Sequence, residues 1–514
     1  MSIGKKIAFG AAASWLSRGV TILLGLVLMP VLFRHLPKEE LGVWLLLGQS
    51  WAAMGILDLG FGVTLTRRIA LAKGKSGGDP NAPLTDETRR EIADLVFCGR
   101  RIYRIMAAGV FLVSWALGFF YLRGLDLHGL SHATVWTAWT ILCACQALGV
   151  WGTVWTCLLQ GVGYIGWDAI LGSFVNAATL SVQIIAVLCG GGLVALAAIA
   201  AGGAILQRGL VRWFARRRQP DLFALRGTWN RAVLKGMPAL ALRAWLTATG
   251  ITLVLNTDQL FIAKMEGASE LPAYRAAYLV LLNVNMLAVT VASASAVFIS
   301  HLWQAGNIPG VQRIVIRNLR IGLGIMACGG ACILGLGPKL FDVWLGPGNF
   351  IGYAILSVFF LLLFLEAQCF VITTSSRATE DEAFAKWAMG AGLLKLVLSF
   401  ILGWRYGLLG IALSTLLAQL ATNHWFMVLR GLHRLQIGLR RHNREVLLPV
   451  GIVFVVTLIS VSAIRFALVQ ATAAVVVFSA AAVSAIVLGV TLWNLVLEQH
   501  QRVRLLNRLG FATA

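Results

Sequence analysis

Residues 8–33 read AFGAAASWLSRGVTILLGLVLMPVLF, and this run contains a single charged side chain, Arg18. A membrane-spanning helix needs about 20 consecutive apolar residues, so the run is long enough to cross a bilayer. Lys5 and Lys6 precede it, but the short apolar core and the A-x-A cleavage site of a signal peptide are absent. We therefore expect the run to remain in the membrane as the first span.

Similar runs recur along the whole chain and predict an all-α, polytopic membrane protein with about fourteen transmembrane helices. The predicted spans are 8–33, 41–65, 102–122, 134–158, 167–189, 192–212, 236–263, 273–300, 315–336, 350–373, 386–404, 407–429, 446–466 and 473–497.

The composition excludes an ordinary soluble protein. Hydrophobic residues make up 59% of the 514 residues and charged residues only 12%, whereas a soluble domain carries about 25% charged residues. A net charge of +22 would suggest nucleic acid binding in a soluble domain. Here the charges lie between apolar runs, so we predict no nucleic acid partner.

The basic residues predict the orientation. With the N-terminus inside, 32 of the 43 Lys and Arg residues fall in cytoplasmic segments, the densest extending from Arg208 to Lys235, and eight fall in opposite loops. This positive-inside bias places both termini in the cytoplasm. Most of the net charge then serves to orient the protein in the membrane and to contact anionic membrane lipids.

Two insertions interrupt the spans. Residues 73–84 resemble a flexible linker, and the capping-box spacing of Thr88 and Glu91 predicts a short interfacial helix after it. The basic loop 213–235 follows the sixth span. We predict an N-lobe at 1–220 (spans 1–6), a C-lobe at 221–430 (spans 7–12) and a terminal helix pair at 431–514 (spans 13–14).

Three basic residues, Arg18, Arg243 and Lys395, are not assigned to loops, and Asp58, Asp258 and Glu366 are their acidic counterparts within the spans. A charge at the bilayer centre costs about 2.5–3.5 kcal/mol on insertion scales, so each needs a partner or a watery cavity. Depth along the helices pairs them as Arg18 with Asp58, Lys395 with Glu366, and Asp258 with Arg275 of the following span, and leaves Arg243 without an acid.

These charges have two interpretations. The pairs can be structural links between helices, or they can serve transport, and for Arg18 and Arg243 we favour the second. The planar guanidinium suits a pyrophosphate because it donates bidentate, charge-assisted hydrogen bonds. Amide side chains at several depths could bind sugar hydroxyls, although a single amide in a span more commonly forms a hydrogen bond to another helix. These amides are Gln49, Asn256, Asn283, Asn285, Gln368 and Gln419.

Motifs of enzymes and cofactor sites are absent from the sequence. It contains no GxxxxGK[ST] phosphate loop, no CxxC pair, no His at zinc-ligand spacing and no paired-carboxylate or Ser/His arrangement. We read the eight cysteines as packing residues and the histidines as solvated near the interfaces. We predict no enzyme, no catalytic residue, no metal and no cofactor.

Three stretches resemble the polysaccharide flippases of the multidrug/oligosaccharidyl-lipid/polysaccharide exporter superfamily. They are SWLSRGVTILLGLVLMPVLFRHLPKEELGVW at 14–44, GILDLGFGVTLTRRIA at 55–70 and NTDQLFIAKMEGASELPAYRAAYLV at 256–280. The length and the fourteen-span layout match over the whole chain.

The resemblance implies two six-helix lobes around a central cavity, with two added helices, in a bacterial inner membrane. It implies alternating-access transfer of an undecaprenyl-pyrophosphate-linked oligosaccharide from the cytoplasmic to the periplasmic leaflet for surface polysaccharide synthesis (O-antigen or exopolysaccharide). By analogy, Arg18, Arg243 and Lys395 would bind the substrate with the amides, and Asp58, Asp258, Glu366 and Arg275 would form coupling sites or ion pairs. Polysaccharide polymerases and assembly proteins are further candidate partners.

Two alternatives remain open. A multidrug or cation exporter of the same superfamily would need a net acidic cavity, and the three buried cations argue against it. A membrane assembly partner without transport activity is the other. The sequence leaves the glycan, the coupling ion and the oligomeric state undetermined.

Overall fold

The computed structural model describes residues 3–53, 58–75, 84–125, 130–224, 227–230, 237–304, 306–379 and 385–495. Most residues in these ranges are helical and none forms a β-strand, which confirms the predicted all-α class. The chain divides into two compact units, Met1–Pro272 and Ala273–Ala514. The division into lobes at 1–220, 221–430 and 431–514 stays a prediction.

The first unit consists of long helices joined by short turns. Its helices are α1 (Ile3–His35), α2 (Lys38–Ala53), α3 (Phe61–Gly74), α4 (Asp86–Arg123), α5 (His132–Gly161), α6 (Ile165–Leu188), α7 (Leu193–Arg218), the short α8 (Pro220–Ala224), α9 (Met237–Asn256) and α10 (Asp258–Met265), followed by a 3₁₀ turn at Ala268–Glu270.

Close helix contacts in this unit rely on small residues. Helix α5 packs against both α4 and α7, and α1 packs against α6. A methyl group on Gly118 of α4 would overlap the Trp139 indole of α5, and one on Gly203 of α7 would overlap Thr179 of α6. Glycine at these positions lets the helices approach closely, as in many membrane proteins.

The second unit is built in the same way. Its helices are α11 (Leu271–Gln304), α12 (Ile308–Leu336), α13 (Pro338–Leu345), α14 (Tyr353–Arg377), α15 (Ala385–Ala418), α16 (Trp425–Arg434), α17 (Leu439–His442), α18 (Leu448–Ala467) and α19 (Ala473–Leu495). Helix α12 packs against α14, α18 and α19. At these contacts Gly330 faces the Phe360 ring and Gly335 faces Val461.

Two segments of this unit are π-helices, Gln419–His424 between α15 and α16 and Asn443–Leu447 between α17 and α18. A π-helical turn closes hydrogen bonds from residue i to i+5 and so holds about one residue more than an α-helical turn, and such turns occur frequently at functional sites. Gln419 and His424 of the first segment contact α14, as described below, and Glu445 of the second forms a salt bridge with Arg320 of α12 at 3.6 Å.

Large apolar side chains face outwards. Phe466 is 83% exposed, Trp404 81%, Phe120 76% and Phe478 73%. In water such an outer surface would associate or aggregate, whereas lipid solvates it. Within the described ranges, ten helices are long and apolar enough to cross a membrane. The chain is a multi-pass membrane protein, and the number fourteen remains a prediction.

Two boundaries show how the predicted spans map onto helices. The long helical stretch Lys386–Arg434 contains the predicted spans 386–404 and 407–429. Gly407 separates them with φ 56° and ψ −138°, a conformation that interrupts helical geometry. The predicted span 41–65 is instead broken between α2 and α3, because Leu59 and Gly60 both have positive φ and left-handed residues do not continue an α-helix.

Helix α4 corrects one prediction. The N-cap is Thr85, whose hydroxyl accepts a hydrogen bond from the Thr88 amide at 3.4 Å, so the helix begins three residues before the predicted capping box. Glu91 forms a salt bridge with Lys75 at 2.7 Å instead of capping. The predicted interfacial helix is the amphipathic first part of one continuous helix, and residues 76–83 of the predicted linker lie outside the described ranges.

Candidate functional site

The turn before α3 places a carboxylate inside the first unit. Leu59 and Gly60 adopt φ 52° and 69°, which turns the chain back so that Asp58 Oδ2 accepts a hydrogen bond from the Gly62 amide at 3.0 Å. An anion is stabilised there by the positive end of the α3 dipole. Residues 58–62, DLGFG, thus form an acidic turn at the start of a helix.

A tyrosine from α4 completes this acidic turn. Tyr103 is fully buried, and its ring meets the edge of Phe61 with centroids 5.4 Å apart. A Cβ on Gly62 would lie 3.0 Å from Tyr103 Oη and 3.1 Å from Asp58 Oδ2, so glycine leaves the space that both groups occupy. The Asp58 carboxylate and the Tyr103 hydroxyl therefore lie beside each other and interact inside the first unit.

Arg208 of α7 is the cation of this cluster, and sequence reasoning missed it. Its Nη1 donates to Thr156 Oγ1 of α5 at 2.7 Å, its aliphatic stem faces Gly152, and its charge acts on Asp58. Arg208 is among the predicted cytoplasmic cations, and that placement stays a prediction; α7 continues beyond Arg208 to Arg218. Ten residues of helix, about 15 Å, separate Arg208 from Arg218. This distance follows from the sequence positions alone.

The two arginines that we favoured for pyrophosphate binding lie on helices of the first unit. Arg18 is on α1 and Arg243 on α9. Both side chains, and therefore the predicted pairing of Arg18 with Asp58, lie outside what the structure describes. Gln49 of α2 donates a hydrogen bond from Nε2 to Asn256 Oδ1 at the end of α9. The contact therefore brings two predicted amides together at the end of α9, the helix that also carries Arg243.

In the second unit, Glu366 and Lys395 lie on helices that pack against each other. Glu366 of α14 is half-buried and interacts with the Gln419 side chain, which belongs to the first π-helix. Lys395 of α15 is completely buried. The ion pair between Glu366 and Lys395 stays a prediction.

Polar contacts around this acid involve histidines that we had read as solvated. His442 is only 1% exposed, and its Nε2 lies 2.8 Å from Gln368 Nε2, one of the predicted amides. His424 Nδ1 lies 3.4 Å from the Cys369 thiol. The expectation of solvated histidines is wrong for these two, because both contact polar side chains of α14.

The remaining predicted residues are distributed more widely. Asn285 of α11 donates to the Leu363 carbonyl of α14 at 2.8 Å, and Asn283 on the same helix is half-buried. Arg275 lies over the Tyr278 ring at 5.4 Å. Asp258 begins α10 in the first unit and Arg275 lies in the second, and their pairing stays a prediction. Nowhere in the described ranges do His, Cys, Asp and Glu side chains cluster as a metal site would require.

Comparison with known proteins adds three findings. The family profile described as "Polysaccharide biosynthesis protein" matches residues 7–299. An "Uncharacterized membrane protein EpsK" of Bacillus subtilis (strain 168) is 27% identical over 194 residues, which cover 36% of this chain and 37% of that protein. The chain therefore spans little more than a third of that relative's length.

Solved structures agree over nearly the whole chain. A structure described as "Lipid II flippase MurJ, inward closed conformation" matches with a TM-score of 0.66 at 14% identity and covers 92% of this chain and 98% of its own. An inward-facing multidrug resistance MATE family transporter of the MOP superfamily matches with a TM-score of 0.62 at 14% identity, covering 83% and 98%. The chain therefore shares the fold of these two transport proteins.

Proposed function

This chain belongs to the polysaccharide biosynthesis protein family, and from that premise we propose that it is a flippase for a lipid-linked oligosaccharide. The observation that carries the proposal is the combination of this family with a fold that a lipid II flippase shares over 92% of the chain. We propose undecaprenyl pyrophosphate as the carrier. The direction is from the cytoplasmic to the periplasmic leaflet of a bacterial inner membrane, by alternating access.

We assign the pyrophosphate to Arg18 and Arg243, because a planar guanidinium binds phosphate oxygens bidentately and keeps its charge at any physiological pH. The Gln49–Asn256 contact supports this assignment, since it adds two amides suited to sugar hydroxyls at the end of the helix that carries Arg243. Lys395 and Asn283 are further candidates. Asn285 is a weaker one, because its amide already binds the Leu363 carbonyl.

Coupling to an ion gradient would require titratable groups inside the membrane. Asp58, Asp258 and Glu366 are the candidates, with Arg275 as a pairing residue. Asp58 is the strongest of them, because the start of α3, the Tyr103 hydroxyl and the charge of Arg208 surround its carboxylate.

The proposal is tested in proteoliposomes that carry a fluorescent undecaprenyl-pyrophosphate oligosaccharide, with outer-leaflet label measured over time. Arg18→Ala and Arg243→Ala should each slow transfer about tenfold or more, since a charge-assisted hydrogen bond contributes about 1.5–3 kcal/mol. Arg18→Lys should retain part of the rate. Arg34→Ala, at the exposed end of the same helix α1, is the matched control and should leave it unchanged.

Three outcomes separate the alternatives. Full transfer by both alanine variants at normal expression would overturn the assignment of the arginines. Export of cationic dyes without lipid transfer would favour the exporter instead of the flippase. Absence of any transport by the unmodified protein in liposomes, together with loss of surface polysaccharide in a deletion strain, would favour the assembly partner.

A further inference from the structure

A cavity of about 360 Å³ lies in the first unit, and neither Asp58 nor Gln49 is among the residues that line it. It is enclosed by the amphipathic beginning of α4, the end of α5 and the segment that follows α7. Its volume is in the range of about 300–1,000 Å³ that is usual for ligand sites. The cavity is therefore large enough to bind part of a small amphiphile.

The lining of the cavity is apolar except at one edge. Val96 and Phe97 of α4 and Leu158 of α5 form part of the wall. Among the described lining residues, Arg100 is the one charged side chain, and none contributes a hydroxyl, carboxylate or amide side chain. A sugar would find few hydrogen-bonding partners here, whereas hydrocarbon next to a single anionic group would be well matched.

Two arginines converge on one tryptophan at this edge. The Arg100 guanidinium lies 5.5 Å and the Arg212 guanidinium 5.2 Å from the Trp155 ring centroid, and Phe223 stacks on Trp155 with centroids 5.0 Å apart. Cation–π contacts of this kind fix the guanidinium planes but leave their N–H donors available. Two oriented guanidinium groups thus lie beside an apolar cavity.

These guanidinium groups have no acidic partner within the described residues, since neither Arg100 nor Arg212 forms an ion pair there. The neighbouring acids are engaged elsewhere. Glu91 pairs with Lys75, Asp221 pairs with Arg89, and Asp94 accepts hydrogen bonds from Thr228 and Asn230. Two partly exposed cations on an aromatic platform are complementary to an anion.

Gly227 lines the cavity, and the segment 227–230 to which it belongs is fixed to α4. The Thr228 amide donates to Asp94 Oδ1 at 2.7 Å, and a methyl group on Gly227 would overlap the Ala93 carbonyl oxygen. The wall is therefore held by specific hydrogen bonds and a close backbone approach, which makes the cavity a built feature of the fold.

We infer that this cavity, the Arg100–Trp155–Arg212 site, binds the phosphate headgroup and upper acyl chain of an anionic phospholipid from the cytoplasmic leaflet. That leaflet carries anionic lipids, and basic pockets between helices on this side are known to bind them. The inference rests on the proposed orientation, in which the ends of α5 and α7 face the cytoplasm, and it does not depend on flippase activity.

The test measures lipid binding in the absence of any glycolipid. Purified full-length protein in detergent is titrated with dioleoyl phosphatidylglycerol, and bound lipid is counted by native mass spectrometry. The double variant Arg100→Ala/Arg212→Ala should bind about thirtyfold more weakly, because each basic residue near a membrane surface contributes about 1 kcal/mol and 1.4 kcal/mol is tenfold. Phosphatidylcholine should bind weakly to both proteins.

A matched control removes the same charge from the neighbouring surface. Arg216→Ala/Arg217→Ala lies on the same helix α7, outside the cavity, and should weaken binding less than about threefold, since exposed charges contribute little. A second variant, Val96→Phe, fills the cavity while keeping both arginines and should also lose lipid. Each variant is used only if it elutes as a single species with an unchanged helical spectrum.

Three results would overturn the inference. Equal weakening by the control and by the Arg100/Arg212 variant would show general surface attraction. Unchanged binding by Val96→Phe would show that the cavity is not used. Competition by soluble glycerol phosphate at concentrations where phosphatidylglycerol saturates would show a site for free phosphate instead of a lipid.

Discussion

The contact between Gly118 and Trp139 allows the packing of α4 on α5 to be tested by a single methyl group. In Gly118→Ala the added Cβ would overlap the Trp139 indole, a side chain that is itself only 5% exposed. Overpacking of this kind costs about 1–3 kcal/mol, while alanine gains up to about 1 kcal/mol over glycine from helix propensity. The net expectation is a loss of up to about 2 kcal/mol.

Gly109 on the same helix supplies the control. A Cβ there meets no atom within 4 Å, so Gly109→Ala should gain the propensity term without the steric cost. The two variants should therefore differ by about 1–3 kcal/mol in the free energy of unfolding, measured by equilibrium unfolding in mixed micelles with increasing dodecyl sulfate.

A double variant identifies the contact responsible. Combining Gly118→Ala with Trp139→Phe removes the pyrrole part of the indole, so the pair should lose less than the sum of the single losses. Equal unfolding free energies for Gly118→Ala and Gly109→Ala would refute the steric reasoning. So would strict additivity in the double variant, because contacting residues are expected to couple.

Two further predictions concern the kink in α15 and the Arg208 cluster. Gly407→Ala should lower the free energy of unfolding by about 1–3 kcal/mol, since a non-glycine residue is strained at φ 56° and ψ −138°. Gly390→Ala on the same helix, where the added methyl group meets open space, should not lower it. Equal losses for the two variants would contradict the role of the kink. Thr156→Val should lower the free energy of unfolding by about 1.5 kcal/mol, because Arg208 loses its charged hydrogen bond. Thr153→Val, whose hydroxyl bonds only within its own helix, should change it by less than about 0.5 kcal/mol, and no difference between the two would contradict the role of Arg208.

The helices themselves could be predicted because lipid demands apolar side chains over a fixed length. That demand is visible residue by residue, and the boundary at Gly407 falls between two predicted spans. The break at Leu59 and Gly60 could not be found in this way, because hydropathy does not register the sign of φ. Asp58 followed by Gly60 and Gly62 was the available signal for a turn.

The candidate site was less accessible to sequence reasoning. Arg208 could have been placed by its depth in α7, since the distance to Arg218 needs only the rise per residue. Its hydrogen bond with Thr156 depends on how α5 and α7 pack, and that information is not local. The contact of His442 with Gln368 joins residues 74 positions apart, which a depth argument along single helices cannot reveal.

The π-helix at Gln419–His424 also affects which length changes this membrane segment can tolerate. Removing one residue from an ordinary α-helix rotates everything beyond the deletion by about 100°, which would turn lipid-facing side chains towards the protein. A π-helical turn already contains the extra residue. A one-residue deletion within 419–424 can therefore be absorbed by a return to α-helical geometry, and α16 would keep its orientation. The contact between His424 and Cys369 would be lost.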